Sequence, residues 1–201
     1  MAAAHRVKVL LDPVLAAILL LLSSPLLVAL AVGVRASSSG PVLFRRRVLG
    51  RNGRDFDALK LRTMVEDADR ILREDAELAA AHSVNVKLQN DPRVTSFGRF
   101  LRRSSLDELP QLWNVVRGEM SLVGPRIITR EEGERFGAAL ARRLSVRPGL
   151  TGLWQVRGRQ ELDYDRRIAL DLEYIESWSL WLDLKILLAT IPVVLGRRGA
   201  Y

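Results

Sequence analysis

The chain has 201 residues, with 31 Lys and Arg against 23 Asp and Glu and a net charge of +8. This length suits one domain with a short appendage, and the basic excess favours an anionic partner: nucleic acid, acidic lipid or a phosphorylated substrate. The absence of cysteine and the presence of only two histidines exclude disulfides, Cys-ligated metals and a thiol nucleophile, and they disfavour His-based catalysis. Neither G-x-G-x-x-G nor G-x-x-x-x-G-K-[ST] occurs, so neither of the usual phosphate loops is present.

The N-terminal segment is apolar, and residues 13–34 carry no charge. A cleaved signal peptide is disfavoured, because the run is longer than the usual core of such a peptide. Two interpretations remain: a spanning helix, and a helix that enters the membrane, breaks and leaves by the same face. Basic residues at both ends and the central Ser24-Pro25 fit the second, since proline removes a backbone donor and serine can pair with freed groups. A tolerated proline kink in a spanning helix fits equally well.

The remaining sequence predicts a mixed α/β domain dominated by helices. Short strands are predicted at 42–44 and 56–64, joined by a basic turn over 45–55 in which Asn52-Gly53 is typical of a hairpin. The spacing predicts a helix over 65–82 in which acidic and basic residues are mixed, and 129–144 is predicted to be another mixed-charge helix. Residues 97–103 are also expected to be helical, with another helix beginning near 104–107. A long amphipathic helix is predicted from Asp163 to the region of Trp178 and Trp181, and 186–195 is too short to span a membrane.

The densest group of polar residues surrounds an Asp-Glu pair. Ser104 and Ser105 each precede an acid by three residues, which is the capping-box spacing, and Pro110 suits an opening helical turn. Asp107 and Glu108 are therefore predicted at a helix N-terminus, where the helix dipole stabilises ionised carboxylates. Taken alone, these acids are as readily explained as capping residues.

Neighbouring arginines give the pair a chemical interpretation. A helix start beside Arg102 and Arg103 can hold phosphate, and an ionised Asp107 there could attack phosphorus. Glu108 could bind Mg²⁺, which commonly uses one or two carboxylates together with substrate phosphates.

Two further arginines border Gly/Pro turns. Arg126 and Arg147 are placed to clamp a diphosphate, although each could equally form a surface ion pair.

These motifs, taken in order, resemble the bacterial sugar transferase family, the monotopic phosphoglycosyl transferases. The most specific part of the resemblance is Ser-Leu-Asp-Glu-Leu-Pro-Gln at 105–111 followed by Ser-Leu-Val-Gly-Pro-Arg at 121–126. The resemblance extends from Lys8 to Tyr201. It also includes Lys8, Asp12 and Ser24-Pro25, and the segments 40–44, 50–56, 60–64, 91–95, 101–112, 147–152 and 154–159.

The resemblance implies transfer of a sugar-1-phosphate from a UDP-sugar to polyprenyl (undecaprenyl) phosphate, with release of UMP. Asp107 would be the nucleophile that forms a covalent phosphosugar intermediate, and Glu108 would be its partner through Mg²⁺. This would be the first membrane step of exopolysaccharide or other glycoconjugate synthesis. Phosphate and nucleotide contacts are expected from Lys60, Arg62, Arg102, Arg126 and Arg147.

The resemblance also implies an architecture and a location. Residues 1–35 would form a re-entrant membrane helix broken at Ser24-Pro25, and 36–201 a transferase domain with interfacial amphipathic helices. The location would be the cytoplasmic face of the bacterial inner membrane, with membrane lipid as a partner and downstream glycosyltransferases as candidate partners. The C-terminal ending resembles that of larger members, so the chain is expected to correspond to their catalytic module.

Two other functions compete with this interpretation. One is a non-catalytic, membrane-anchored basic protein that binds acidic lipid or nucleic acid; the lack of aromatic residues among the arginines argues against nucleic acid. The other is an inactive family member acting as a scaffold, since Val9, Val48 and Ile127 depart from the family pattern. The intact Asp107-Glu108 pair favours the enzyme.

Overall fold

The computed structural model describes residues 2–84, 88, 91–158 and 162–196. It confirms a helix-dominated chain with short strands and a long apolar N-terminal helix. Arg159 and the C-terminal ending, which belong to the resemblance, lie outside the described residues. The helices are α1 (Ala2–Ser37), α2 (Ala68–Glu74), α3 (Ala76–Val84), α4 (Ser96–Ser104), α5 (Gln111–Val116), α6 (Arg130–Glu134), α7 (Leu140–Arg143), α8 (Leu153–Arg157), α9 (Tyr164–Ser177) and α10 (Leu180–Leu195). The strands are β1 (Leu43–Leu49), β2 (Asp55–Leu61), β3 (Ser121–Val123) and β4 (Gly149–Thr151).

The predicted hairpin is present and longer than expected. β1 and β2 pair antiparallel from Leu43 opposite Leu61 to Leu49 opposite Asp55, so the basic residues 45–47 lie in the strand and not in the turn. The turn is closed by Asn52 and Gly53 with φ of 58° and 74°, a conformation that asparagine and glycine adopt at low cost.

The apolar N-terminal segment forms one long helix, α1. Helical assignment runs through Pro13 and Pro25 without interruption. Near the second proline, the hydroxyl of Ser24 donates to the carbonyl oxygen of Leu21 at 2.7 Å. The re-entrant path of this helix stays a prediction.

Both halves of α1 contact the rest of the domain. In the first half, Ala16 is fully buried in the main core, which also contains residues of α5, β3, α9 and α10. In the second half, Leu30 and Val34 are buried against Leu61 of β2 and Leu101 of α4. The domain therefore lies along the helix and is not attached to one end of it.

The second sheet is the parallel pair β3–β4, and it positions the start of the loop that follows β3. Ser121 pairs with Gly149 and Val123 with Thr151. Beyond the strand, the amide of Gly149 donates to the carbonyl oxygen of Pro125 at 2.8 Å. A Cβ at Gly149 would overlap the backbone of Gly124, so this close approach requires glycine.

Two predicted helices are divided in the structure. Residues 129–144 form α6, a 3₁₀ turn at Gly137–Ala139 and α7, with Gly137 at a φ of 49°. Residues 65–82 contain α2 and α3, separated by Asp75, whose extended backbone interrupts the helix. Mixed-charge periodicity predicted the helical segments correctly but not the points where they end.

Candidate active site

The Asp107-Glu108 pair lies on a 3₁₀ turn between α4 and α5. The turn covers Leu106–Glu108 and follows Ser105, which adopts the left-handed conformation at a φ of 57°. The predicted capping box is wrong. Ser104 is the last residue of α4, and its hydroxyl donates back to the carbonyl oxygen of Phe100 at 2.8 Å, a common alternative for serine in a final helical turn. The side chain of Ser105 makes no capping hydrogen bond.

Apolar contacts hold this turn against the long N-terminal helix α1. Leu106 and Leu109, on either side of the pair, pack against the cluster of Leu30, Val34 and Leu101. The turn that carries the acids is therefore supported by the second half of α1.

Glu108 accepts from two cations. The Nζ of Lys60 lies 2.6 Å and the Nη2 of Arg126 lies 2.7 Å from its Oε1, while Nη1 of Arg126 is 3.5 Å from Oε2. Burial by itself would raise the pKa of Glu108, but the charges and hydrogen bonds of Arg126 and Lys60 hold that pKa well below its usual range. Glu108 is thus a fixed anion at neutral pH.

Asp107 has a different environment on the same turn. Its side chain is buried, and no hydrogen bond reaches its carboxylate from the part of the chain that the structure describes. Burial raises the pKa of Asp107, an effect that Glu108 reinforces and that the charges of Lys60, Arg102 and Arg126 oppose. The result is a carboxylate with unoccupied oxygens in a basic surrounding.

Lys60 and Arg102 are positioned beside this pair by β2 and by a side-chain hydrogen bond, respectively. Phe56, Ala58 and Lys60 share one face of β2, so Lys60 continues a row of buried side chains. The Nε of Arg102 donates to Oγ1 of Thr63 at 2.8 Å, which fixes the guanidinium beside Asp107.

Asn114 connects α5 to β2 through hydrogen bonds to the strand's backbone. Its Oδ1 accepts from the amide of Leu59 at 3.0 Å, and its Nδ2 donates to the carbonyl oxygen of Asp57 at 2.8 Å. The role of Asn114 was not predictable from the sequence, because an isolated asparagine in an apolar helix carries no local signal.

Two of the predicted phosphate ligands lie elsewhere. Arg62 is buried and donates from Nη2 to the carbonyl oxygen of Ser38 at 2.8 Å, which places it at the exit of α1. Arg147 lies beside Gly118 and lines a cavity of about 110 Å³ together with His5 and Lys8. The structure therefore brings together Asp107, Glu108, Lys60, Arg102 and Arg126, and it separates Arg62 and Arg147 from them.

A second polar cluster joins α1 to the domain. The Nζ of Lys8 lies 2.6 Å from Oδ2 of Asp183 and donates to the carbonyl oxygen of Val123 at 3.0 Å. Asp183 also accepts from the hydroxyl of Tyr174 at 2.7 Å. Lys8 also lies 3.5 Å from Asp12, one turn along α1. The shorter contact, to Asp183 of α10, was not predictable from local spacing.

The acids of the site fit the predicted Mg²⁺ in one respect. Oε1 of Glu108 is occupied by two cations, whereas Oε2 has a single contact at 3.5 Å and retains the capacity to bind a metal. No group of three or more potential metal-ligating side chains occurs among the described residues. A metal here would therefore need oxygens from the substrate, as Mg²⁺ bound to nucleotide phosphates usually does.

Two of the family departures are core positions. Val48 and Ile127 are buried in the main cluster. Both positions therefore contribute to the packing of the hydrophobic core.

Comparison with known proteins agrees with the geometry. Residues 3–197 match the bacterial sugar transferase family. The exopolysaccharide production protein ExoY of Rhizobium meliloti is 46% identical over 94% of this chain and 86% of its own length. A UDP-glucose:undecaprenyl-phosphate glucose-1-phosphate transferase of Caulobacter vibrioides is 46% identical over 96% of this chain and 72% of its own length. The undecaprenyl-phosphate galactose phosphotransferase of Salmonella typhimurium is 44% identical over 94% of this chain and 40% of its own length.

The family match over most of the chain and the similarity to the Rhizobium protein show that the chain belongs to the bacterial sugar transferase family. The resemblance and the prediction of an enzyme of this class are thereby confirmed. The chain spans 41% of the length of an uncharacterized sugar transferase of Haemophilus influenzae and most of the length of the Rhizobium protein.

Proposed function

We propose that the protein transfers a sugar-1-phosphate from a UDP-sugar to polyprenyl phosphate and releases UMP. The observation that carries this proposal is the Asp107 carboxylate, which lies beside Glu108 and has no hydrogen-bond partner among the described residues. Three cations, Lys60, Arg102 and Arg126, lower its pKa. Relatives named as undecaprenyl-phosphate sugar-phosphate transferases support the substrate classes. The relatives' names also support a role in exopolysaccharide production.

The first step is attack on phosphorus. An oxygen of ionised Asp107 forms a bond to the phosphorus that bears the sugar, and the bond from that phosphorus to the bridging oxygen breaks. UMP leaves with the electron pair. Lys60, Arg102 and Arg126 stabilise the negative charge that develops on the phosphoryl oxygens, as fixed cations do in a partly buried site.

The second step regenerates the carboxylate. An oxygen of polyprenyl phosphate attacks the same phosphorus, and the bond to Asp107 breaks, giving the polyprenyl-diphosphate sugar. Because donor and acceptor react in turn, the kinetics are ping-pong.

Glu108 would hold Mg²⁺ through Oε2, and the bound ion would neutralise charge on the donor diphosphate. Throughout, Glu108 remains ionised because Arg126 and Lys60 keep its pKa low. Its ion pair with Arg126 orients that guanidinium at the site.

The packing of α1 supports a monotopic arrangement on one membrane face. Asp12 and Val34 are both buried in the structure, yet about 33 Å of straight helix separates them. A spanning helix would put these residues on opposite sides of a hydrocarbon layer of about 30 Å, where one domain could not contact both. α10 adds an exposed apolar stripe suited to the interface: Trp181, Leu184, Leu188 and Ile191.

Release of UMP tests the proposal. Purified full-length protein in detergent or nanodiscs would receive Mg²⁺, polyprenyl phosphate and a panel of UDP-sugars. We expect UMP from the wild type with at least one donor and none from Asp107→Asn, which has nearly the same shape but no nucleophilic carboxylate. Equal release from both proteins would contradict the role of Asp107. Salt-sensitive binding of polynucleotide without UMP release would favour the non-catalytic alternative.

A further inference from the structure

A buried arginine binds the backbone of the loop that contains Arg126. The side chain of Arg143, on α7, has no solvent exposure. Its Nη2 donates to the carbonyl oxygen of Arg126 and lies 3.4 Å from that of Pro125. Two successive carbonyl groups of the loop therefore point at one guanidinium.

A buried aspartate is the ionic partner of this arginine. Asp171, on α9, is 3% exposed. Its carboxylate lies 3.7 Å from Nε of Arg143, and the backbone amide of Arg126 is among the groups that lower its pKa. The backbone carbonyl of Arg126 is thus bound by the arginine of a buried ion pair.

The pair is costly for the fold, which argues for a role beyond stability. Nε and Nη1 of Arg143 and Oδ1 of Asp171 have no hydrogen-bond partner among the described residues. Burial raises the pKa of Asp171 to about 7, although Arg143 and the Arg126 amide oppose the rise. Buried ion pairs with incomplete hydrogen bonding are weak sources of stability, and apolar replacements are often as stable.

We infer that Arg143 and Asp171 are positioning residues: they fix the backbone of Arg126 so that its guanidinium meets Glu108 and the donor phosphates. Among the described residues neither one has a hydrogen bond or ion pair with Asp107 or Glu108, and both are connected to that pair through Arg126. The inference rests on the proposed function for its effect on turnover, but its structural part is independent of any reaction.

The chain offers a matched control for this arrangement. Arg142 is the neighbour of Arg143 on α7, and it forms an exposed ion pair at 2.9 Å with Glu176 of the same helix as Asp171. Arg142→Met therefore removes an arginine and an α7–α9 ion pair without touching the Arg126 loop.

The experiment compares Arg143→Met, Arg143→Lys and Arg142→Met in UMP release per folded molecule and in amide hydrogen exchange at Arg126. Arg143→Met should lower kcat/KM about ten-fold or more and accelerate exchange of the Arg126 amide relative to the rest of the chain. Arg143→Lys keeps one cationic donor, so it should restore part of both losses and remain folded if the methionine variant does not. Arg142→Met should resemble the wild type in both measurements.

The two readouts separate failure of this inference from failure of the proposed function. Absence of UMP from the wild type would contradict the reaction, whereas faster Arg126 exchange in the Arg143 variants alone would still support the positioning role. Unchanged exchange together with unchanged turnover per folded molecule would overturn the inference.

Discussion

Asp107 and Glu108 are adjacent in the sequence, and their surroundings move their proton affinities in opposite directions. Burial raises the pKa of Asp107, while Arg126 and Lys60 outweigh burial and lower the pKa of Glu108. Two acids with separated pKa values can divide the work of a reaction. Here the more basic carboxylate would act as nucleophile, and the permanently ionised one would orient cations.

The pH dependence of the reaction should show this arrangement. Asp107 must be ionised to attack, so kcat/KM should rise with pH through the pKa of Asp107, above the value near 4 of an ordinary aspartate. Lys60 lowers that pKa. Lys60→Met should therefore move the acid limb of the profile of kcat/KM to higher pH, in addition to lowering the activity.

Lys185 provides the control for this measurement. It is an exposed lysine on α10, 5.4 Å from the ring centroid of Trp181, and it is not among the charges that act on Asp107. Lys185→Met should leave the acid limb where it is in the wild type. An acid limb that Lys60→Met leaves in place would show that Asp107 does not control it.

At the residue scale, the site residues that belong to a local sequence motif were predictable from the sequence. Asp107 and Glu108 stand out because two acids follow two serines and precede a proline, and Arg126 because it follows a Gly-Pro turn. Arg143 and Asp171 carry no such signal: they lie in mixed-charge helices, and only the tertiary fold brings them to the Arg126 backbone.

At the scale of elements, α4 is held close to the segment after β2. The amide of Gly98 donates to Oγ1 of Thr95, the N-terminal capping residue of α4, at 2.8 Å. Gly98 lies directly against Thr63. A Cβ at Gly98 would overlap the carbonyl oxygen of Thr63. The hydroxyl of that threonine also accepts from Arg102, so the contact links helix packing to the site.

Gly98→Ala should accordingly destabilise the domain by about 1–3 kcal/mol, the usual cost of overpacking, and lower turnover by displacing Arg102. Thermal unfolding and UMP release would measure the two effects. Ser96→Ala changes an exposed residue of the same helix and should alter neither measurement appreciably. A Gly98→Ala variant as stable as the wild type would contradict the close approach of α4 to Thr63.

Element boundaries were less predictable than element types. The hairpin followed from Asn52-Gly53, and α9 from its amphipathic pattern. The capping box failed because Ser104 bonds back to Phe100 within α4, a choice that depends on where the preceding helix ends. The helix predicted over 129–144 divides at Gly137, where the backbone leaves the helical region.

At the scale of the whole molecule, the packing of both halves of α1 on one domain predicts a single membrane face for both ends. Since the natural chain has no cysteine, Ala3→Cys and Ser39→Cys each introduce one reactive thiol at an exposed position flanking the apolar run. In sealed vesicles with the cytoplasmic face outward, an impermeant maleimide should label both variants. In vesicles of the opposite orientation it should label neither.

Labelling of the two variants from opposite faces would establish a spanning helix and contradict the monotopic arrangement. A cysteine at Arg130, on exposed α6, serves as the marker of the face on which the domain lies. The variant Arg130→Cys should behave as Ser39→Cys does in either vesicle preparation.

The central claim is that Asp107 carries the sugar phosphate between donor and acceptor, and mass spectrometry of the protein tests it most directly. Wild-type protein would be mixed with Mg²⁺ and the UDP-sugar that supports UMP release, without polyprenyl phosphate, and analysed intact and after proteolysis. We expect an added mass of one sugar phosphate on the peptide containing Asp107, removed when polyprenyl phosphate is supplied and absent in Asp107→Asn. Stoichiometric UMP release with the adduct on another residue, or turnover with no adduct under any quench, would contradict the account.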